Sequence, residues 1–362
     1  MESNYINQTP KKWGELSANT KTKDEIKLEV YSDEINRVKL SIDNSVWMYI
    51  GALFVPINFK DYCLTKLNNL RCVKYGNWHD EESECPQQCG FHEDNDTEIH
   101  YKNLHKSKSD AGPKIAKNWI NKFMIQESCQ KHRKPVYLNI LGLNLSNMNL
   151  ELFGENKGRD LTIYNRFYRS VLKGGINYFF RDYRRITIRQ IYHDKGSQET
   201  HELFSWHPIY RIGLESEKIK IERDEIEFID SDHRKSGKKE SHFIQLIDLI
   251  LGATYVCLHN PSDRREKKEV GLAFKPALTV LLDRKKNPNN NYMEGSYYHS
   301  NYYRTYQISF FPKKKMELDE IFNQLDVYGN QMTENMRIED NFYYDRPILL
   351  TDPSQRDLTG WF

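Results

Sequence analysis

The chain has 362 residues, with 53 Lys and Arg against 51 Asp and Glu, and its net charge of +2 gives no global bias toward nucleic acid or an anionic membrane. No apolar run reaches the ~18 residues a membrane span requires, the opening Met1-Glu2-Ser3-Asn4-Tyr5 lacks a signal-peptide pattern, and six unevenly spread Cys do not make a disulfide framework. The expectation is a soluble, reduced, cytoplasmic protein with room for one elaborated domain or two.

Residues 1–22 are polar and read as an arm. Ile26, Leu28 and Val30 then alternate with Lys27, Glu29 and Tyr31, the period of a strand with one buried face, and the strand runs into Ser32-Asp33-Glu34. Val46 to Val55 is uninterrupted and apolar, as suits a strand buried on both faces beside the first. A short helix is expected over Phe59–Leu70. Residues 71–97 change character, holding Cys72, His79, Cys85, Cys89 and His92 among many acids and few aliphatic residues. Glu98-Ile99-His100-Tyr101 returns to strand-like alternation, and Gly112-Pro113-Lys114 opens a helix with Ile115, Trp119, Ile120 and Phe123 along one side.

Pro135–Leu141 reads as a strand, and Tyr164–Tyr183 as a long helix weakened at Gly174-Gly175. Arg185–Asp194 is a further strand whose even positions place Asp194 in line with Ile186 and Ile188. Pro208 interrupts any helix over Thr200–Leu214, and Lys218–Asp230 holds one or two short strands. A basic loop, His233–Lys239, precedes the helix that begins at Glu240. Beyond it, Val270–Leu282 suits a helix and the Tyr-rich Ser296–Phe311 a strand or hairpin. The core therefore spans 23–260, and 261–362 is treated as a C-terminal appendage.

The helix from Glu240 to Gly252 is apolar nearly all round, so it must be mostly buried. It nevertheless carries Asp248, with Gln245 one turn earlier and no Lys or Arg three or four positions away. A buried, unpaired carboxylate costs several kcal/mol. Asp248 must be protonated, paired from afar, or bound to a metal.

Other acids also fall at the ends of elements: Asp33 on the first strand and Asp194 on a later one. This order of elements is α/β or α+β around a mixed sheet flanked by helices. The residues Ser32-Asp33-Glu34-Ile35-Asn36, the strand Tyr49–Val55, Tyr192-His193-Asp194-Lys195, the loop Ser231–Ser236 and Gln245-Leu246-Ile247-Asp248-Leu249 together resemble the ribonuclease H-like domain-of-unknown-function family 3800. Members open on Asp-Glu-Ser-Gly and close on a Gln-x-x-Asp helix; here Ile35-Asn36 stands where Ser-Gly is usual. The resemblance covers residues 25–260. It implies a ribonuclease H-like mixed sheet and a divalent-metal nuclease acting on DNA or RNA, in a setting such as bacterial defence.

Such chemistry needs several carboxylates around Mg²⁺ or Mn²⁺ ions ~4 Å apart. Asp33, Asp194 and Asp248 match three of the family's acid positions. Glu98 is preferred as the fourth over Glu34, which alternation turns away from Asp33. His79, Cys85, Cys89 and His92 form a candidate structural zinc site in the 71–97 insertion, with Cys72 as a spare ligand. Arg234, Lys235, Lys238 and Lys239 are candidate nucleic-acid contacts. Nucleic acid is the expected partner, and a protein partner or homo-oligomer stays open. The competing function is a catalytically inactive nucleic-acid or protein-binding module on the same sheet.

Overall fold

Hydrophobic alternation pairs β1 (Lys23–Lys39) antiparallel with the apolar β2 (Val46–Pro56), and β2 pairs antiparallel with β3 (Tyr137–Asn144). Parallel strands extend this meander on both sides: β4 (Tyr183–Asp194) beside β1, and β7 (Tyr306–Phe311) beside β3. Two short strands, β5 (Ile219–Ile221) and β6 (Glu227–Ile229), both pair with β4. The result is a mixed seven-stranded sheet ordered β5-β4-β1-β2-β3-β7, with β6 also on β4. The structure is a computed structural model; it describes residues 23–41, 43–72, 98–104, 111–127, 134–154, 158–259, 264–286, 305–312, 314–317 and 339–343.

Helices cover both faces. On one lie α3 (Arg159–Phe179) and α4 (His207–Glu215), packed on Leu28, Val30, Phe54 and Ile188. On the other lie α1 (Ile57–Asn69), α2 (Gly112–Asn118, continuing as a π-helical stretch Trp119–Glu127), α6 (Ser241–His259) and α7 (Arg265–Lys286). The short α5 (His233–Ser236) leads into α6. By length and composition α6 would pass for a membrane span, but it is mostly buried inside the protein and is its central core helix.

Six expectations change. β1 is buried on both faces from Leu28 to Asp33, because α6 covers the side that carries Glu29 and Tyr31. Glu29 tolerates this through Lys60, 2.8 Å away, and the Tyr31 hydroxyl, which donates to it at 2.6 Å. The glycine pair does not weaken α3: a methyl at Gly175 would lie 2.5 Å from the Phe54 ring, so the glycine lets helix and sheet approach. Pro208 starts α4 instead of breaking it, since the first turn of a helix has no use for its missing N–H.

Residues 98–100 are extended without joining the sheet and end in a single 3₁₀ turn, Tyr101–Asn103. Asp194 does not share a face with Ile186 and Ile188. The pairing of β4 with β1 skips Arg189, so this bulge inverts the alternation. Ile186, Ile188 and Ile191 face α3, while Tyr192 stacks on Tyr31 toward α6, and Asp194 follows Tyr192. Finally, 261–362 is not an appendage throughout: α7 packs in the α6 core and β7 completes the sheet beside β3.

Candidate acidic site at the carboxyl edge of the sheet

In the register of β1 and β2, Asp33 stands opposite Gly51. A methyl on Gly51 would meet Ile247 Cδ1 at 2.8 Å and Leu251 Cδ2 at 2.9 Å, so the missing side chain seats α6 on the sheet and brings Asp248 over this end of β1. The parallel β4 places His193 opposite Ser32, which sets Asp194 beside Asp33. Asp33 does not close β1, which runs on to Lys39 against β2; the cluster forms where the parallel pairing of β1 with β4 stops, at Ser32 and His193, and where β4 ends at Asp194.

The segment 98–101 closes the site from above α6. The Tyr101 N–H donates to Asp248 Oδ2 at 2.6 Å, and His100 Nδ1 lies 3.3 Å from the same oxygen. Glu98 accepts a hydrogen bond from the Ser231 hydroxyl. Gln245, wholly buried, ties these parts together. Its Oε1 accepts from the Ile99 N–H at 3.1 Å and from Arg71 at 3.4 Å, and its Nε2 donates to the Ser231 carbonyl at 2.7 Å and to His233 Nδ1 at 3.2 Å.

The electrostatics are those of like charges forced together. Burial, then the charges of Asp194 and Asp248, push Asp33 well above the ordinary carboxyl range. Burial and the Asp248 charge raise Asp194 to about 7. Burial raises Asp248, against the pull of His100 and the Tyr101 N–H. Glu34 lies on the α3 side of β1, as alternation requires, yet burial and Asp194 raise it to about 8. Glu98 contributes repulsion to both Asp194 and Asp248, so the structure brings all four sequence-derived acids into one field. Among the described residues, no Lys or Arg forms an ion pair with Asp33, Asp194 or Asp248. Lys267, seated 4.8 Å above the Tyr101 ring, also attracts Asp248, more weakly than His100 does.

His193 is not a solvent-facing proton carrier. It is fully buried toward α3, and burial lowers it to about 4, so it is neutral. Its Nδ1–H donates to the Asp194 carbonyl at 2.7 Å, which leaves Nε2 to accept from the Tyr164 hydroxyl at 2.7 Å. The ring therefore buttresses the backbone of Asp194. The predicted basic contacts are largely committed to acids. Arg234 makes two bonds to Asp232, at 3.0 and 3.1 Å, Lys235 lies 3.5 Å from the same carboxylate, and Lys238 pairs with Glu227; Lys239 is exposed. His79, Cys85, Cys89 and His92 lie outside the described residues, while Cys72 is buried at the end of α1.

Sequence reading missed Gly51, Tyr101 and Lys267 as site-forming residues. A glycine inside an apolar strand signals close approach by another element, so Gly51 was legible in principle. A backbone N–H and a lysine on the following helix leave no such mark.

The crowded groups are oxygen donors, the chemistry that Mg²⁺ or Mn²⁺ takes, and they repel one another. The set is not closed, since among the described residues no group of three or more His, Cys, Asp or Glu side chains converges so as to hold an ion. Asp33 Oδ1 accepts the Glu34 N–H at 2.7 Å and Asp248 Oδ2 the Tyr101 N–H, so two carboxylates are turned toward backbone. No family model, no curated protein and no solved structure matches this chain.

Proposed function

We propose that the chain is a divalent-metal-dependent nuclease with a ribonuclease H-like core, hydrolysing phosphodiester bonds of DNA or RNA. The observation that carries this is the placement of the acids: the strand register sets Asp194 beside Asp33, and the close seating of α6 on Gly51 brings Asp248 over them. Buried like charges without a basic ion-pair partner are costly to ionise, and a divalent cation offsets that cost. The three acids come from the first strand, a later strand beside it and a late core helix, the positions the family resemblance implies.

Asp33, Asp194 and Asp248 would hold Mg²⁺ or Mn²⁺, with Glu98 oriented beside them by Ser231. When bound, the ions would supply an activated water and stabilise the leaving oxygen. Gln245 fixes the two segments that flank Asp248, and Lys267 offers a positive charge to a substrate phosphate. His79, Cys85, Cys89 and His92 would hold a structural zinc, and the family resemblance implies a setting such as bacterial defence.

The second reading is an inactive binding module on the same sheet. What favours it is the orientation of Asp33 and Asp248 toward backbone N–H groups. Incubating the full chain with single- and double-stranded DNA and RNA, in Mn²⁺ and in EDTA, separates the two. Cleavage that needs Mn²⁺ supports the nuclease; binding with no cleavage of any of these substrates discards it.

A further inference from the structure

His100 is fixed on three sides beside Asp248. The Ile99 N–H before it is held by Gln245, and the Tyr101 N–H after it by Asp248 itself, while the Tyr101 ring packs onto Gly252 of α6. The imidazole is oriented as well. Its Nδ1 accepts the Lys102 N–H at 3.1 Å, capping the turn that begins at Tyr101, and lies 3.3 Å from Asp248 Oδ2. The opposite ring nitrogen, Nε2, has no hydrogen-bond partner among the described residues, and the side chain is 31% exposed.

The bond at Nδ1 decides what Nε2 can do. A neutral imidazole whose Nδ1 accepts carries its proton on Nε2, and a charged imidazole carries one on each nitrogen. Nε2 is therefore a donor in either state. It stands next to groups that only accept, for ionised carboxylates have no proton to give. A phosphodiester brought to such a site is an acceptor too, so an oxygen not held by an ion needs an N–H or O–H beside it. The nearby backbone N–H groups of Glu34 and Tyr101 are already taken by Asp33 and Asp248. His100 Nε2 is uncommitted, accessible and held by a rigid frame. The Lys267 ammonium, over the ring of the next residue, adds a positive charge on the same side of α6.

We propose that His100 is a substrate-contacting residue of the acidic site, its Nε2–H donating to a non-bridging oxygen of the phosphodiester. The proposal rests on the nuclease reading and adds the residue that receives the substrate. One short segment then performs three tasks: Glu98 supplies an acid, His100 a donor to the substrate, and Tyr101 the backbone N–H that orients Asp248.

Two substitutions separate the ring's two nitrogens. Asn is a good capping residue, so His100→Asn keeps an acceptor for the Lys102 N–H and loses the donor at Nε2. Gln is one carbon longer, so His100→Gln carries an amide N–H to the position of Nε2 and gives up the cap. The full chain and both variants are titrated with fluorescent oligothymidylate and oligouridylate of about 20 nucleotides in Ca²⁺, an oxygen-seeking cation. The two oligonucleotides distinguish a DNA from an RNA substrate. His100→Asn should bind the preferred strand about tenfold more weakly, the scale of one hydrogen bond to a charged group, with the wild-type melting temperature. His100→Gln should bind as wild type does and melt slightly lower. A purely structural role gives the reverse order, with Asn harmless and Gln weak. That order, or any other including equal affinity throughout, overturns the proposal, as does a wild type that binds neither strand. Cleavage in Mn²⁺ is scored separately: the expected order of affinities without cleavage removes the nuclease reading and leaves His100 a phosphodiester contact, whereas cleavage with a different order removes His100 alone.

Discussion

The backbone N–H of Tyr101 points at Asp248 Oδ2 from 2.6 Å, and the Tyr101 ring closes over Gly252, one helical turn further along α6. A single residue of an irregular segment therefore both packs the helix and orients its one acid. The two contacts should fail together. In Gly252→Ala the new Cβ would lie 2.1 to 2.4 Å from ring atoms of Tyr101, so the ring and its backbone must shift. A stability loss of about 1–3 kcal/mol by denaturant unfolding is expected from such overpacking, together with weaker Mn²⁺ binding. Undiminished stability would mean that the segment yields without cost.

Asp248→Asn keeps an oxygen for the Tyr101 N–H and removes the charge. Metal-dependent cleavage should fall by on the order of 10²-fold, the scale of losing one charge-stabilising group, with the melting temperature at pH 8 unchanged or higher. Equal Mn²⁺-dependent cleavage by wild type and variant would show that Asp248 holds no catalytic ion.

The raised carboxyl groups also set the pH dependence of stability. Asp194 titrates near 7 and Glu34 near 8 in the folded chain, against ordinary values near 4. The folded state therefore binds protons that the unfolded state has released. Their stabilising effect is complete below about pH 4 and is lost as pH rises through 7 to 8. Each such group weakens the fold by a few kcal/mol at alkaline pH. Mn²⁺ should raise the melting temperature strongly at pH 8 and little at pH 5, since it binds the ionised acids. A Mn²⁺ effect that is as large at pH 5 as at pH 8 contradicts this.

Gln245 offers a cleaner separation of positioning from chemistry. Gln245→Leu removes the partner of the Ile99 N–H, Arg71 and the Ser231 carbonyl, and leaves every acid in place. Stability should drop by about 2–3 kcal/mol, because buried groups lose their hydrogen bonds. The affinity for Mn²⁺ should fall about tenfold, as when a partner that orients metal ligands is removed. An isothermal titration giving wild-type affinity would confine Gln245 to structure.

For the insertion, the expected outcome is one zinc ion per chain by elemental analysis, lost in Cys85→Ser/Cys89→Ser. A purified wild-type chain with no zinc, even after incubation with it, excludes the site.

Much of the sheet was written into local patterns. Strict alternation before Ser32, the apolar run from Val46 and the buried Asp248 helix name the central strands and the core helix, because burial imposes a period that a sequence displays directly. The isolated acid on that apolar helix pointed to Asp248 for the same reason: an ionisable group where nothing polar belongs. The gathering of the acids belonged to the tertiary structure. The bulge at Arg189 reverses which face Asp194 takes, Gly51 decides how near α6 approaches Asp33, and Tyr101 comes from 147 positions away to meet Asp248. Register, close approach and long-range hydrogen bonds depend on two segments at once, so neither segment carries them alone. The pairing of Arg169 and Lys173 of α3 with Glu215 of α4 is of this kind too, since the two helices meet only when they pack on the same face of the sheet.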